Sequence, residues 1–194
     1  MTEIQATKEM CYFCFDTILS KFTKEEPKGY EFKKGVKCPL FVTWKIKKKE
    51  DYHLRGCIGT FQDMELKEGL ESFAQKSAFS DWRFHPIEEK EIESLNCSVS
   101  LLVNFEQAKN CLDWEVGKHG IRIKFKGYSG TYLPEVATEQ GWDKETSLRH
   151  LVQKAGYHGS FDNELMESIQ LTRYQSSKIH STYDEFLNWK KSRK

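Results

Sequence analysis

Leu40-Phe41-Val42-Thr43-Trp44-Lys45-Ile46-Lys47 alternates in character along its length. Leu40, Val42, Trp44 and Ile46 point one way, and Thr43, Lys45 and Lys47 the other, the period of a half-buried strand. A polar turn follows over 47–51. Residues 52–61, Tyr52-His53-Leu54-Arg55-Gly56-Cys57-Ile58-Gly59-Thr60-Phe61, then read as a returning strand. The two form a hairpin, so the chain has antiparallel sheet at its centre.

Around this hairpin the spacing predicts helices and further strands. Ile4, Cys11, Cys14, Ile18 and Phe22 share a helical face over 4–22, broken by Glu25 to Gly29. A second helix is expected at 64–80, with Leu66, Leu70, Phe73, Ala74 and Ala78 on one face and Asp63 as its cap. Ser80 to Pro86 is a loop rich in rings and charges. Pro86 suits a first helical position, so 87–95 reads as a short helix. Residues 97–103 and 121–125 alternate as strands, and Gly127 to Gly130 reads as a turn. A helix at 144–155 ends at Gly156. A strand at 168–175 and a helix at 183–190 complete the pattern, the helix opened by the capping box Thr182–Glu185. The tail Lys190, Lys191, Arg193 and Lys194 reads as a solvated end. The fold class is α+β: a mixed or antiparallel sheet with flanking helices.

The 194 residues suit one domain or two small lobes. Lys plus Arg is 30 and Asp plus Glu is 29, so charge gives no general attraction to nucleic acid or an anionic membrane. No apolar run is long enough to span a bilayer. The first twenty residues lack the order of a signal peptide, which predicts an intracellular protein, in the cytoplasm or the nucleus. Six cysteines in such a protein are expected reduced. Cys11-x-x-Cys14 has no second ligand pair for zinc and lies inside a helical pattern, so it is expected to pack as small apolar groups. No metal or cofactor site is expected.

Leu54-Arg55-Gly56-Cys57-Ile58-Gly59 is the segment from which chemistry is expected. In a regular strand Arg55, Cys57 and Gly59 face one side. A guanidinium beside a thiol favours the nucleophilic thiolate, which for an ordinary cysteine is only about 3% of the population at pH 7. Glycines on either side of a cysteine fit a place where a ligand or another backbone comes close. Cys57 is thus a candidate nucleophile and His85 a candidate base. Arg55, Gly56, Gly59, Asp81 and Arg83 are candidate ligand-binding residues. The other reading makes Cys57 a core residue of a tight hairpin, and Asp81–Arg83 an ion pair that pins the loop. No phosphate loop, zincin or nucleophile-elbow motif is present.

These strings resemble the AMMECR family over nearly the whole chain. Leu54 to Gly59 is its signature. Arg83-Phe84-x-Pro86, Ser98-Val99-Ser100-Leu101, Asp113 to Ile121, Tyr132-Leu133-Pro134-Glu135-Val136, Gly141-Trp142-Asp143 and Leu171-Thr172-Arg173-Tyr174 support it. The longer strings resemble the eukaryotic branch. The chain departs from many archaeal relatives at Val152, where cysteine is common, and at Cys97, where an acidic residue is frequent. The resemblance implies an α+β fold in two unequal lobes with a cleft, and no settled biochemical activity. It implies roles for Arg55, Gly56, Cys57 and Gly59, with Asp81, Arg83 and Pro86 nearby. It also implies a link to Memo-like and radical SAM-linked partners, with which prokaryotic members are fused or paired. The expected function is a ligand-binding or thiol-dependent catalytic pocket around 54–59. The alternative is a non-catalytic interaction module in which that segment is structural and Trp82 and Trp114 dock a protein partner.

Overall fold

The computed structural model describes residues 4–193. The elements run α1 (Lys8–Thr23), β1 (Lys37–Lys48), β2 (Asp51–Glu65), α2 (Leu66–Phe79), a 3-10 helix (Glu89–Ser94), β3 (Leu95–Gln107), β4 (Gly120–Phe125), β5 (Tyr128–Tyr132), α3 (Pro134–Gln140), α4 (Lys144–Lys154), α5 (Asn163–Ser168), β6 (Gln170–Thr182) and α6 (Tyr183–Ser192). The strands are hydrogen-bonded in the order β2-β1-β3-β6-β4-β5. The pairs β1–β2, β1–β3, β4–β5 and β4–β6 are antiparallel. The fold is α+β. The chain divides into two compact units, one running to Leu101 and resuming at Ser177, the other Leu102–Ser176.

In the first unit the alternation of β1 becomes burial. Leu40, Val42 and Trp44 are fully buried, and their neighbours on β3 are Leu101, Val99 and Cys97. The Trp44 indole N–H donates to the Ala74 carbonyl of α2 at 3.1 Å. Phe15 of α1 meets the Trp44 ring edge-on at 5.2 Å and stacks on Phe186 of α6 at 5.3 Å. Nine successive residues of α1, Met10 to Ile18, are buried. Cys11 and Cys14 are among them, beside Cys97. Burial and the two neighbouring thiols push the Cys97 thiol well above its ordinary range.

In the second unit β4 lies between β5 and β6. Ile121, Ile123 and Leu171 pack with Leu148, Leu151 and Val152 of α4. Trp114 belongs to this core at 2% exposure, and its indole N–H is taken by the Cys111 carbonyl. That overturns the expectation of an exposed docking residue.

Other departures have local causes. Asp63 lies in β2 and caps nothing, and the residue before α2 is Glu65, with no side-chain cap. Tyr128 to Gly130 enters β5, because Lys126 at φ 42° and Gly127 at φ 84° complete the reversal alone. The tail is tied down: Lys190 pairs with the buried Asp16, and Arg193 donates to the Gly29 carbonyl. Lys194 lies outside the described residues. No described helix is long and apolar enough to cross a membrane.

The capping box of α6 is present as read. Thr182 accepts from the Glu185 N–H, and the Glu185 carboxylate accepts from the Thr182 N–H and the Ser181 hydroxyl. Thr182→Ala is expected to lower stability by about 1 kcal/mol in urea unfolding with an unchanged m-value.

Candidate functional site

β2 is an edge strand. Its ladder with β1 is regular from Lys48↔Asp51 to Lys45↔Leu54, then shifts so that Trp44 faces Gly56 and Thr43 faces Cys57. Arg55 is the extra residue of a β-bulge. The bulge keeps Gly56 and Ile58 opposite the inward Trp44 and Val42, and Cys57 and Gly59 opposite Thr43 and Phe41.

Gly56 is buried against the end of α2. A Cβ there would lie 1.9 Å from the Ser77 carbonyl oxygen, so only glycine fits. At Gly59 a Cβ would meet the Leu40 carbonyl oxygen at 2.3 Å and the Phe41 ring at 2.4 Å. Both glycines serve approach by the protein's own groups: a backbone at Gly56, a backbone and a ring at Gly59.

α2 ends beside β2, so the loop after it crosses the strand edge. Asp81 is 5% exposed. Its carboxylate accepts the Cys57 N–H at 2.9 Å and a two-pronged contact from the Arg83 guanidinium at 2.7 and 3.0 Å. Arg83 also donates to the Cys57 carbonyl at 3.1 Å. The ion pair therefore satisfies both outward backbone groups of Cys57. Arg83, and then burial opposed by the backbone donors, sets the Asp81 acidity: its pKa falls from the ordinary 3.8 to about 2.

Arg55 forms a second clamp. It contacts Glu91 through two nitrogens at 2.8 and 2.9 Å and donates to the carbonyls of His85 and Pro86 at 2.7 and 3.2 Å. Arg55 holds Glu91 below the usual carboxylate range. The guanidinium is therefore engaged by Glu91 and two backbone carbonyls.

The Cys57 sulfur lies 3.1 Å from the Thr43 hydroxyl, which can donate to it. Cys57 is half-buried, whereas the other five cysteines are buried. His85 is exposed, and its backbone carbonyl, not its ring, holds Arg55. His119 is buried in the second unit, with Nδ1 accepting from the Glu115 N–H. No described cluster of His, Cys, Asp or Glu is placed to hold a metal ion.

Beside the clamps lies a groove of about 470 Å³. Ile46, Lys48 and Leu54 of the hairpin and Trp82, Arg83 and His85 of the loop line it. Trp82 is 90% exposed. A hollow of about 560 Å³ in the second unit, lined by residues such as Lys109, Cys111 and Asp113, contains none of the signature residues.

The AMMECR1 family model matches residues 11–179. The chain belongs to the AMMECR1 family. It is 44% identical over 196 residues to an uncharacterised protein of Arabidopsis thaliana, covering 97% of this chain and 91% of that one. It is 43% identical over 189 residues to an uncharacterised protein of Schizosaccharomyces pombe, with 93% and 95% covered. An uncharacterised protein of Pyrococcus horikoshii with a crystal structure shares the fold at a TM-score of 0.71 and 26% identity, with 91% of each chain covered. The AMMECR1 domain has no established activity. The clamps and the groove fall inside the matched region.

Sequence reasoning missed Glu91, Thr43 and Ser77. Glu91 carries a signal, since Glu88-x-x-Glu91 forms the capping box of the 3-10 helix. Thr43 depends on the bulge, and Ser77 acts through its backbone, which no side-chain pattern reveals.

Two outcomes test this geometry. Gly56→Ala is expected to destabilise the protein by about 3 kcal/mol, as overpacking against fixed backbone does, with the loss read from urea midpoints. Because the Asp81 pKa is depressed, its stabilisation is present above the ordinary carboxylate value and fades as pH falls from about 4 toward 2. The fall from 3.8 to about 2 is worth at most about 2.5 kcal/mol, and solvent at Arg83 reduces it to about 1. Asp81→Asn should remove that part of the acid dependence, leaving the part that Glu185 contributes in the same direction.

Proposed function

We propose that this AMMECR1 domain is a binding module whose ligand site is the groove beside the Leu54–Gly59 segment. The observation that carries this reading is Trp82, an indole 90% exposed on a loop that two arginine–carboxylate clamps hold in place. Burying so large an amphipathic ring against a ligand is favourable. The rigid loop makes that covering inexpensive in entropy. Lys48, Arg83 and His85 beside the ring favour a ligand with anionic character.

Within this reading Arg55 and Asp81 build the site, Arg83 reaches into it, and Gly56 and Gly59 permit the packing beneath. Arg83 has a side chain 40% exposed, and its Nη1 meets no acceptor among the described residues, which leaves two N–H donors for a ligand. Binding is favoured over turnover because a nucleophilic cysteine is commonly activated by a base, and the hydrogen-bond partner of the Cys57 sulfur is a hydroxyl. A thiol-dependent reaction is the second reading. Its support is that Cys57 alone of the six cysteines is not buried.

An NMR titration with aromatic carboxylates and aryl phosphates separates these. Amide shifts are expected at 54–57 and 81–85, and Trp82→Ala should abolish them. Shifts elsewhere, or shifts that survive Trp82→Ala, would overturn the binding site. In parallel, site-resolved iodoacetamide labelling of the native protein should modify Cys57 first. Labelling of Cys57 only after unfolding would remove the thiol reading.

A further inference from the structure

We infer that the groove takes an extended acidic peptide, which adds as a strand to the free edge of β2 at Tyr52 and Leu54. This inference rests on the groove being a binding site and names what it binds.

The direction of the backbone groups carries the argument. Cys57 turns its N–H and C=O away from β1, because Asp81 and Arg83 take them. In an antiparallel ladder, residues alternate between bonding the partner strand and facing away from it. Counted along β1 from Thr43, which faces Cys57, Lys45 and Lys47 occupy the positions that do not bond β2. Their partners are Leu54 and Tyr52. The bulge at Arg55 preserves this count on β1 while shifting it by one on β2. Tyr52 and Leu54 therefore present their N–H and C=O groups outward, and no described group takes them. The clamp covers the edge at Cys57 and stops there.

Exposed apolar edges invite strand addition, and proteins ordinarily blunt them. Here the clamp covers the edge at Cys57, and no described group covers it at Tyr52 and Leu54. At the open end Tyr52 and Leu54 are 40% and 41% exposed, and Trp82 is 90% exposed. Leu54 and Trp82 both line the groove. An incoming strand would gain backbone hydrogen bonds from Tyr52 and Leu54 and place an apolar side chain against Trp82.

Charge selects the occupant. Between positions 45 and 51 the hairpin carries Lys45, Lys47, Lys48 and Lys49 against Glu50 and Asp51. Lys45 and Lys47 stand across from Leu54 and Tyr52, and Lys48 lines the groove. A second copy of this edge would bring lysines toward lysines. An acidic strand meets them with opposite charge.

The test uses the full chain and a fluorescein-labelled peptide of about nine residues, alternating Glu and Val around one central Trp. Two twins carry N-methyl groups, each along one edge only. Anisotropy should show binding of the parent, with one twin weakened at least tenfold and the other unchanged. Leu54→Pro, which removes one outward N–H from an edge strand that tolerates proline, should weaken the parent similarly while the thermal melt stays two-state. Lys48→Glu should weaken it, and a Lys-for-Glu peptide should not bind.

Equal binding by both twins would overturn strand addition. If the aromatic-acid shifts at 54–57 and 81–85 persisted in that case, the groove reading would stand alone; if they too were absent, both would fail. No binding of the parent at about 1 mM, weaker than about 4 kcal/mol, would also overturn it. So would self-association that Leu54→Pro abolishes, which would make a second copy the occupant.

Discussion

The Ser77 carbonyl oxygen occupies the space where any side chain on residue 56 would have to be. This exclusion fixes how the end of α2 meets the edge of β2, and the local architecture follows. The Trp44 hydrogen bond to Ala74 anchors the same helix one turn earlier, and the buried apolar face of α2, with Leu40 of β1 against Gly69, adds to it. Ser80 and the loop after it then emerge directly over the strand edge. Asp81, the second residue beyond α2, reaches the Cys57 N–H without any long-range rearrangement.

Two arginines stitch that loop down, and their chemistry explains why they are arginines. Each grips a carboxylate with two nitrogens and still has donors for backbone carbonyls: Arg55 for His85 and Pro86, Arg83 for Cys57. A lysine ammonium cannot present that fork. The contacts are not equivalent. Arg55 and Glu91 have side chains 13% and 19% exposed, so their attraction is little screened, and losing either leaves the other desolvated. Asp81 is buried, but the Arg83 guanidinium reaches solvent. One clamp is therefore chiefly structural, while the other fixes a cation at the lip of the groove.

The hairpin, the helix faces and the capping box of α6 were legible in the sequence because each rests on a local period or spacing. The short elements α3, α5 and β5 were not. Seven, six and five residues are too few for a period to stand out, and they form because they cover the second core. The 54–59 segment was legible as important, but its geometry was not. A regular ladder from the turn would place Gly56 opposite Thr43. The bulge at Arg55 puts Cys57 there instead and sends the guanidinium to Glu91. Nothing in the spacing of Leu-Arg-Gly-Cys announces a one-residue insertion. Trp82 and Trp114 show the same limit: identical residue types, one exposed and one buried, separated only by tertiary packing.

The same bulge links the structural and binding readings of this segment. Reading the signature as architecture accounts for Gly56, Arg55, Asp81 and the backbone of Cys57, all of which are engaged within the protein. It does not account for Trp82, Lys48 or the outward edge at Leu54, which contribute little to the fold as it stands. An architectural segment that ends abruptly, with the backbone of Cys57 satisfied on one side and an exposed ring beside the lysines of β1 on the other, is a boundary. The clamps give the groove its rigidity, and rigidity is what lets a small, half-polar surface bind without a large ordering penalty. On the proposed reading, structure and binding are successive uses of one constraint: the loop must be fixed to β2 before the groove beside it has a shape.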